Sequence, residues 1–178
     1  PTFRKPTIPN INIIYTSTLL GILSKSIFLL YQNNKYITIF RDRQQGKVII
    51  MEEKTLTKTI KVEEEQLAVS MGSGGLAVLA TPAVVALMEN AAFELCEEIL
   101  NNDELTTVGT AISIEHTSPT PLGAEISATA VLKENDGRFF NFEVSASDAK
   151  GIIAKGTHTR VSVKAEKFQK KADEKFNG

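Results

Sequence analysis

The stretch TPAVVALMENAAFELCEEIL, residues 81–100, constrains the fold more than any other part of the chain. It is the only long apolar helix signal in 178 residues. Thr81 suits an N-cap, Pro82 suits the first helical position, and NND follows as a stop. At 1.5 Å per residue the helix is about 27 Å long, enough to cross one face of a sheet. A helix this apolar needs such a cover.

The sheet is supplied by the flanking sequence. KTLTKTIKV alternates apolar and polar residues before the helix, and TTVGTAISIEHTS, GAEISATAVLKE, RFFNFEVSAS and GIIAKGTHTRVSVKA do so after it. Asp136-Gly137 and Lys150-Gly151 mark tight turns, which predicts sequential antiparallel strands. The expected fold class is therefore α+β, a curved antiparallel sheet wrapped around one long central helix. MGSGGLAV, with three glycines in four residues, reads as a flexible connection, and the charged tail EKFQKKADEKFNG reads as a short surface helix. Alternation in HTRVSVKA and the run Phe139, Phe140, Phe142 leave apolar groups for association, so a homodimer is expected.

Charge divides the chain near residue 50. Residues 1–50 carry a net +6 and residues 51–178 a net -7, although the whole chain is only -1. Residues 1–50 hold ten isoleucines, no methionine and almost no acid, and Met51 then opens an ordinary composition. The expected organisation is an atypical N-terminal extension, 1–50, and a domain, 51–178. The extension reads first as translated leader or cloning-derived sequence with Met51 as the natural start. The apolar run 11–31 also has the length of a membrane anchor, a reading ranked lower, and KYITIF has the pattern of a strand packed on the domain.

Function rests on a carboxylate inside the helix. Between Leu76 and Leu95 the polar side chains are Thr81, Glu89, Asn90 and Glu94. Glu89 shares a stripe with Val85, Ala92 and Cys96 and borders the stripe of Val84, Leu87, Met88, Ala91 and Leu95; one of the two must face the sheet. On the next strand, period-two alternation puts Val108, Thr110, Ile112, Ile114 and His116 on the core side. His116, one of two histidines, then ends a strand while pointing at the helix. A carboxylate beside an imidazole orients the ring and raises its basicity, and the ring can move protons near neutral pH. Thr81 adds a hydroxyl at a helix N-terminus, where backbone amides stabilise a developing oxyanion. The trio suits acyl transfer to water. Thr81 and Glu89 lie about 12 Å apart along a helix, so either His116 bridges them or a dimer joins residues of two subunits.

Other groups carry less. A single cysteine, Cys96, excludes an intrachain disulfide, points to a reducing compartment, here the cytoplasm, and reads as helix packing. His158 reads as structural or surface. Neither histidine has companions for a metal site, so no metal is expected. Net -7 argues against a nucleic-acid partner. Arg138, Lys150, Lys155, Arg160 and Lys164 are the basic residues available to a phosphate-bearing ligand, with Arg138 and Arg160 foremost.

From LATPAVVALMENAAFELCEEIL through VGTAISIEHTSPTPLGAEISATA to AKGTHTRVSVKAEKF, residues 76–170, the chain resembles the fluoroacetyl-CoA thioesterases and their relatives among hotdog-fold thioesterases. LME in mid-helix, VGTAI, the segment around His116, GTHTR and EKF recur in the family's order. The resemblance implies a hotdog fold, an acyl-CoA thioesterase without cofactor, coenzyme A as part of the substrate, and a catalytic threonine, glutamate and histidine at Thr81, Glu89 and His116. It also implies that Gly109 belongs to the active-site region; Leu79, just before Thr81, is grouped with it as substrate-binding. The phenylalanines that form a lid before the family's threonine are absent from GSGGLAVLAT, so selection for a fluorinated two-carbon acyl group does not carry over. The competing expectation is a noncatalytic acyl-thioester-binding or hydratase-like hotdog module.

Overall fold

The computed structural model describes residues 12–14, 25–32, 35–42 and 48–176. The chain divides into two units, Pro1–Thr55 and Leu56–Gly178. In the first, β1 (Asn12–Ile14), β2 (Lys25–Gln32), β3 (Lys35–Asp42) and β4 (Val48–Glu53) form an antiparallel sheet in sequence order. KYITIF lies in β3 and Met51 inside β4. The rest of the apolar run 11–31 lies outside the described residues. No helix among the described residues is long and apolar enough to cross a membrane.

The second unit opens on β5 (Thr55–Lys61), all but its first residue, and continues with a 3-10 turn (Glu64–Gln66) and α1 (Ala68–Met71). The glycine-rich connection then passes Gly72, whose φ of 67° is left-handed and suits a residue without a Cβ. Next come α2 (Thr81–Leu100), β6 (Leu105–His116), β7 (Glu125–Asn135), β8 (Phe139–Asp148), β9 (Gly151–Lys164) and the exposed α3 (Ala165–Asp173). Helix α2 stops at Asn101, whose left-handed backbone is tolerated by asparagine and returns its N–H to the Glu97 carbonyl.

The second sheet has the order β5-β7-β8-β9-β6. Strands β7, β8 and β9 are successive hairpins, as the turn residues predict. In the first turn the Asp136 carboxylate accepts from the N–H groups of Arg138 and Phe139, and these bonds hold its carboxyl below the usual range. Strand β6 departs from the sequential expectation. It pairs with β9 along its whole length and closes the far edge, so residues 117–124 cross over to reach β7. Local alternation marks strands but says nothing about which neighbour a strand chooses.

Of the two helix stripes, the one containing Val84, Leu87, Met88, Ala91 and Leu95 faces the sheet, joined by Ala83, Ala92 and Cys96. They pack on Ile126, Ala128 and Ala130 of β7, Phe140, Phe142, Val144 and Ala146 of β8, and Ile153 and Ala154 of β9. Burying each large apolar side chain contributes about 1.5–3 kcal/mol. Phe140 and Phe142 are thus core residues, not association surface; only Phe139 of that run is exposed.

Strand β6 carries a second departure. Its register against β9 shifts between Gly109 and Ala111, a bulge at Thr110. The extra residue reverses the alternation, so Thr107 is the buried position before the bulge while Ile112, Ile114 and His116 face the helix after it. Thr110 is exposed and Val108 only half-buried, contrary to simple alternation.

Candidate active site

Thr81 is not the cap that its sequence context predicts. Ala80 is the N-cap residue, Thr81 occupies the first helical position, and no side chain caps the helix. The Thr81 hydroxyl instead lies 3.0 Å from His116 Nδ1. Two bridges bring the hydroxyl and imidazole together: Leu67 pairs with Leu79 and Val78 with Pro121, while Ala80 N–H donates to the Gln66 carbonyl and Leu79 N–H to that of Thr120. Leu79 is buried beneath them. Ala68, Ser73, Leu79, Thr81, His116 and Ser118 are among the residues lining a cleft of about 330 Å³. His116 Nε2 is buried, with no hydrogen-bond partner among the described residues.

The helix start offers fewer amides than an ordinary N-terminus. Pro82 has no N–H, and the N–H groups of Ala83 and Val84 both donate to the Ala80 carbonyl. Thr81 N–H is the first-turn amide left for an oxyanion, beside its own hydroxyl and at the positive end of the helix dipole.

Glu89 lies elsewhere in the chain. Its Oε1 is 3.7 Å from His158 Nε2, and a Cβ built on Gly109 would stand 2.6 Å from the same oxygen. Absence of a side chain at Gly109 therefore lets the carboxylate settle over the β6 bulge. The surrounding cluster is buried and polar. His158 Nδ1 lies 2.8 Å from the Ala111 carbonyl, and Arg160 Nη1 lies 3.3 Å from His158 Nε2. Arg160 Nε donates to Thr107 Oγ1 at 2.9 Å and Nη2 to the Thr107 carbonyl at 2.8 Å, with Phe93 under the guanidinium. Burial, above all, then Arg160, pushes the His158 imidazole below its usual range; the Ala111 bond and Glu89 oppose this. Burial also lowers Arg160. Cys96, buried beside Thr107, is pushed up to about 11, which fits packing and not a nucleophile.

The sequence expectations divide accordingly. Thr81 and His116 meet, and Glu89 and Gly109 meet, but Glu89 does not reach His116 within one chain. Gly109 and His116 are separated by roughly 20 Å along β6 at ~3.3 Å per residue. Arg160 is only 7% exposed and committed to Thr107 and His158, so it is not a surface clamp. Arg138 is exposed at the β7–β8 turn with its guanidinium over Phe139, at the end of the sheet away from His116. Sequence alone marks neither His158 nor Thr107 as a site residue. The available signal was that Gly156, His158 and Arg160 share one side of an alternating strand, the side that carries the core. Among the described residues no group of three His, Cys, Asp or Glu side chains could hold a metal ion.

Comparison with known proteins agrees with this architecture. The family described as FlK, fluoroacetyl-CoA-specific thioesterase, matches residues 62–166. A fluoroacetyl-CoA thioesterase from Streptantibioticus cattleyicolor is 39% identical over 98 residues, covering 55% of this chain and 70% of the relative. A solved structure of the fluoroacetyl-CoA thioesterase FlK superposes with a TM-score of 0.65 at 29% identity, covering 69% of this chain and 95% of the other. A hot-dog-like protein from Thermanaerovibrio acidaminovorans, 21% identical with a TM-score of 0.64 over 71% of this chain and 93% of its own, shares the fold. With a single long helix against a five-stranded antiparallel sheet, the second unit is a hotdog fold, and the chain belongs to the FlK family of fluoroacetyl-CoA-specific thioesterases.

Proposed function

We propose that this chain hydrolyses acyl-CoA thioesters in the cleft between the start of α2 and the end of β6. The observation that carries this reading is the Thr81 hydroxyl, which leaves its helix uncapped and lies against the His116 imidazole. A hydroxyl and an imidazole at this distance form a nucleophile–base pair. His116 takes the proton from Thr81 or from water and returns it to the departing thiolate, while Thr81 N–H supports the tetrahedral oxyanion. The two routes differ in an acyl adduct on Thr81, detectable by mass spectrometry after a rapid quench.

His116 cannot accept a proton at low cost while Nε2 is a buried, unpaired N–H. A carboxylate cures this, and Glu89 of a second copy supplies it. Strand β6 is an edge strand. Antiparallel pairing of two β6 edges about a two-fold axis at Ser113, with Thr110 as the extra residue of the bulge, sets His116 of one copy across from Gly109 of the other, below that copy's Glu89. The chain thus works as a homodimer with two shared sites.

The acyl group follows the cleft. Ala68, Val78, Leu79 and Ala80 furnish its apolar wall without an aromatic ring, so acyl groups other than fluoroacetyl enter. Release of free thiol from a panel of acyl-CoAs tests the reading. Thr81→Ala and His116→Ala should each lower turnover ~100-fold or more; wild-type-like turnover in both would overturn it. Hydration of an unsaturated acyl-CoA without thiol release would establish the competing hydratase class instead.

A further inference from the structure

One buried titratable group neither attacks the thioester nor moves its protons. The His158 side chain is fully buried on the helix-facing side of β9, opposite Ile112 on β6 and stacked at 6.3 Å on Phe142 of β8. Its two nitrogens are distinguishable. Nδ1 faces the Ala111 carbonyl, which can only accept, so Nδ1 carries the hydrogen. Nε2 of the neutral ring is then an acceptor, and Arg160 Nη1 donates to it. Glu89 Oε1, 3.7 Å from the same nitrogen, is beyond hydrogen-bond range.

This places the imidazole between a guanidinium and a carboxylate that would otherwise attract each other. Arg160 is tied to Thr107 through Nε and Nη2, which leaves Nη1 as the edge that can turn towards Glu89. We propose that His158 is a positioning residue: its neutral ring occupies Nη1 of Arg160, keeps the guanidinium from closing onto Glu89, and so leaves that carboxylate available to the reaction. The proposal rests on the thioesterase reading, since availability matters only if Glu89 takes part.

Protonation reverses the arrangement. A hydrogen on Nε2 turns the acceptor into a donor, repels Arg160 and draws in Glu89 Oε1. The charged and titratable groups around the ring are Glu89, Cys96 and Glu97 on α2 and Arg160 on β9; β6 contributes Thr107, Gly109 and Ala111, and β8 contributes Phe142. Burial and Arg160 keep the ring neutral until the medium is more acid than its ordinary range.

Two variants separate the functions of the two nitrogens. His158→Asn preserves a donor for Ala111 but has no acceptor for Nη1; His158→Gln carries an amide oxygen near the Nε2 position and does not titrate. The expected results are a fall in kcat of about tenfold or more for Asn with KM little changed, and substantial recovery with Gln. The Gln variant should also lose the acidic inflection in kcat/KM that His158 produces. Equal activity in wild type and both variants overturns the proposal, as does an equal loss in both that follows their melting temperatures. Should neither variant fold, ¹⁵N NMR of the wild-type histidines decides: a neutral His158 protonated on Nδ1 at neutral pH supports the proposal, and an imidazolium or the opposite tautomer refutes it. Absence of thiol release by the wild type would remove the thioesterase reading while this NMR result still judged the geometry.

Discussion

Gly109→Ala should damage catalysis far more than folding. The added Cβ would stand 2.6 Å from Glu89 Oε1, 3.2 Å from His158 Cε1 and 3.8 Å from Arg160 Nη1. To reach an ordinary 3.4 Å contact the carboxylate must withdraw by roughly 0.8 Å, and His158 by a few tenths of an ångström. Glu89 is the far end of a long side chain whose side-chain exposure is 39%, so its retreat is inexpensive. Alanine also reduces the freedom of the unfolded chain, which offsets strain by about 0.4–1 kcal/mol. The net change in stability should be within about 1 kcal/mol, whereas a catalytic group displaced by nearly 1 Å costs up to ~100-fold in turnover. Thiol release from the best acyl-CoA substrate, measured beside a melting curve, gives both numbers. An unchanged melting temperature with unchanged kcat would refute the claim that Glu89 must lie over Gly109 to act.

Gly156→Ala is predicted to have the opposite profile. Its Cβ would fall 1.9 Å from the Ser113 carbonyl oxygen and 2.7 Å from Ile114 Cα, both backbone, so the β6–β9 pairing must open; a loss of about 3 kcal/mol or more, or insoluble protein, is expected in a denaturation assay. His158 makes stability depend on pH. Its folded pKa lies below the unfolded value of about 6.5, so the unfolded chain binds more protons in the window between the two, and stability present above pH 6.5 declines as pH falls through that window. Urea titrations of wild type and His158→Gln should differ in slope there; parallel curves would contradict the neutral, buried assignment. Residues 51–178 alone should fold and retain thiol release, because the core and both side-chain clusters lie after Leu56; loss of soluble protein on removal of residues 1–50 would contradict this.

The central helix and the β7–β8–β9 hairpins were legible because each depends on local periodicity or on turn residues such as Asp136-Gly137, whereas the choice between the two helix stripes was made by the sheet. Thr81, Glu89 and His116 were visible as polar groups in apolar patterns. Two things were hidden. The Thr110 bulge reversed the faces of β6, and one inserted residue leaves no composition signal. The neighbour of Glu89 within one chain was hidden as well, because His158 approaches it through the β6–β9 pairing, a choice of neighbour made by the whole sheet. The cap position of Thr81 illustrates the same limit: Ala80 takes the cap because its N–H donates to Gln66 and the preceding Leu79 N–H to Thr120, fixing this backbone and freeing the hydroxyl for His116.

Complementation between two inactive variants tests whether the site spans two copies. Glu89→Gln chains keep His116, and His116→Ala chains keep Glu89. Mixed in equal amounts after unfolding and refolding together, half of the dimers should be mixed, each with one intact site, restoring about a quarter of wild-type thiol release. Activity no greater than the sum of the two parents, with mixed dimers demonstrated by native mass spectrometry, would contradict the shared site.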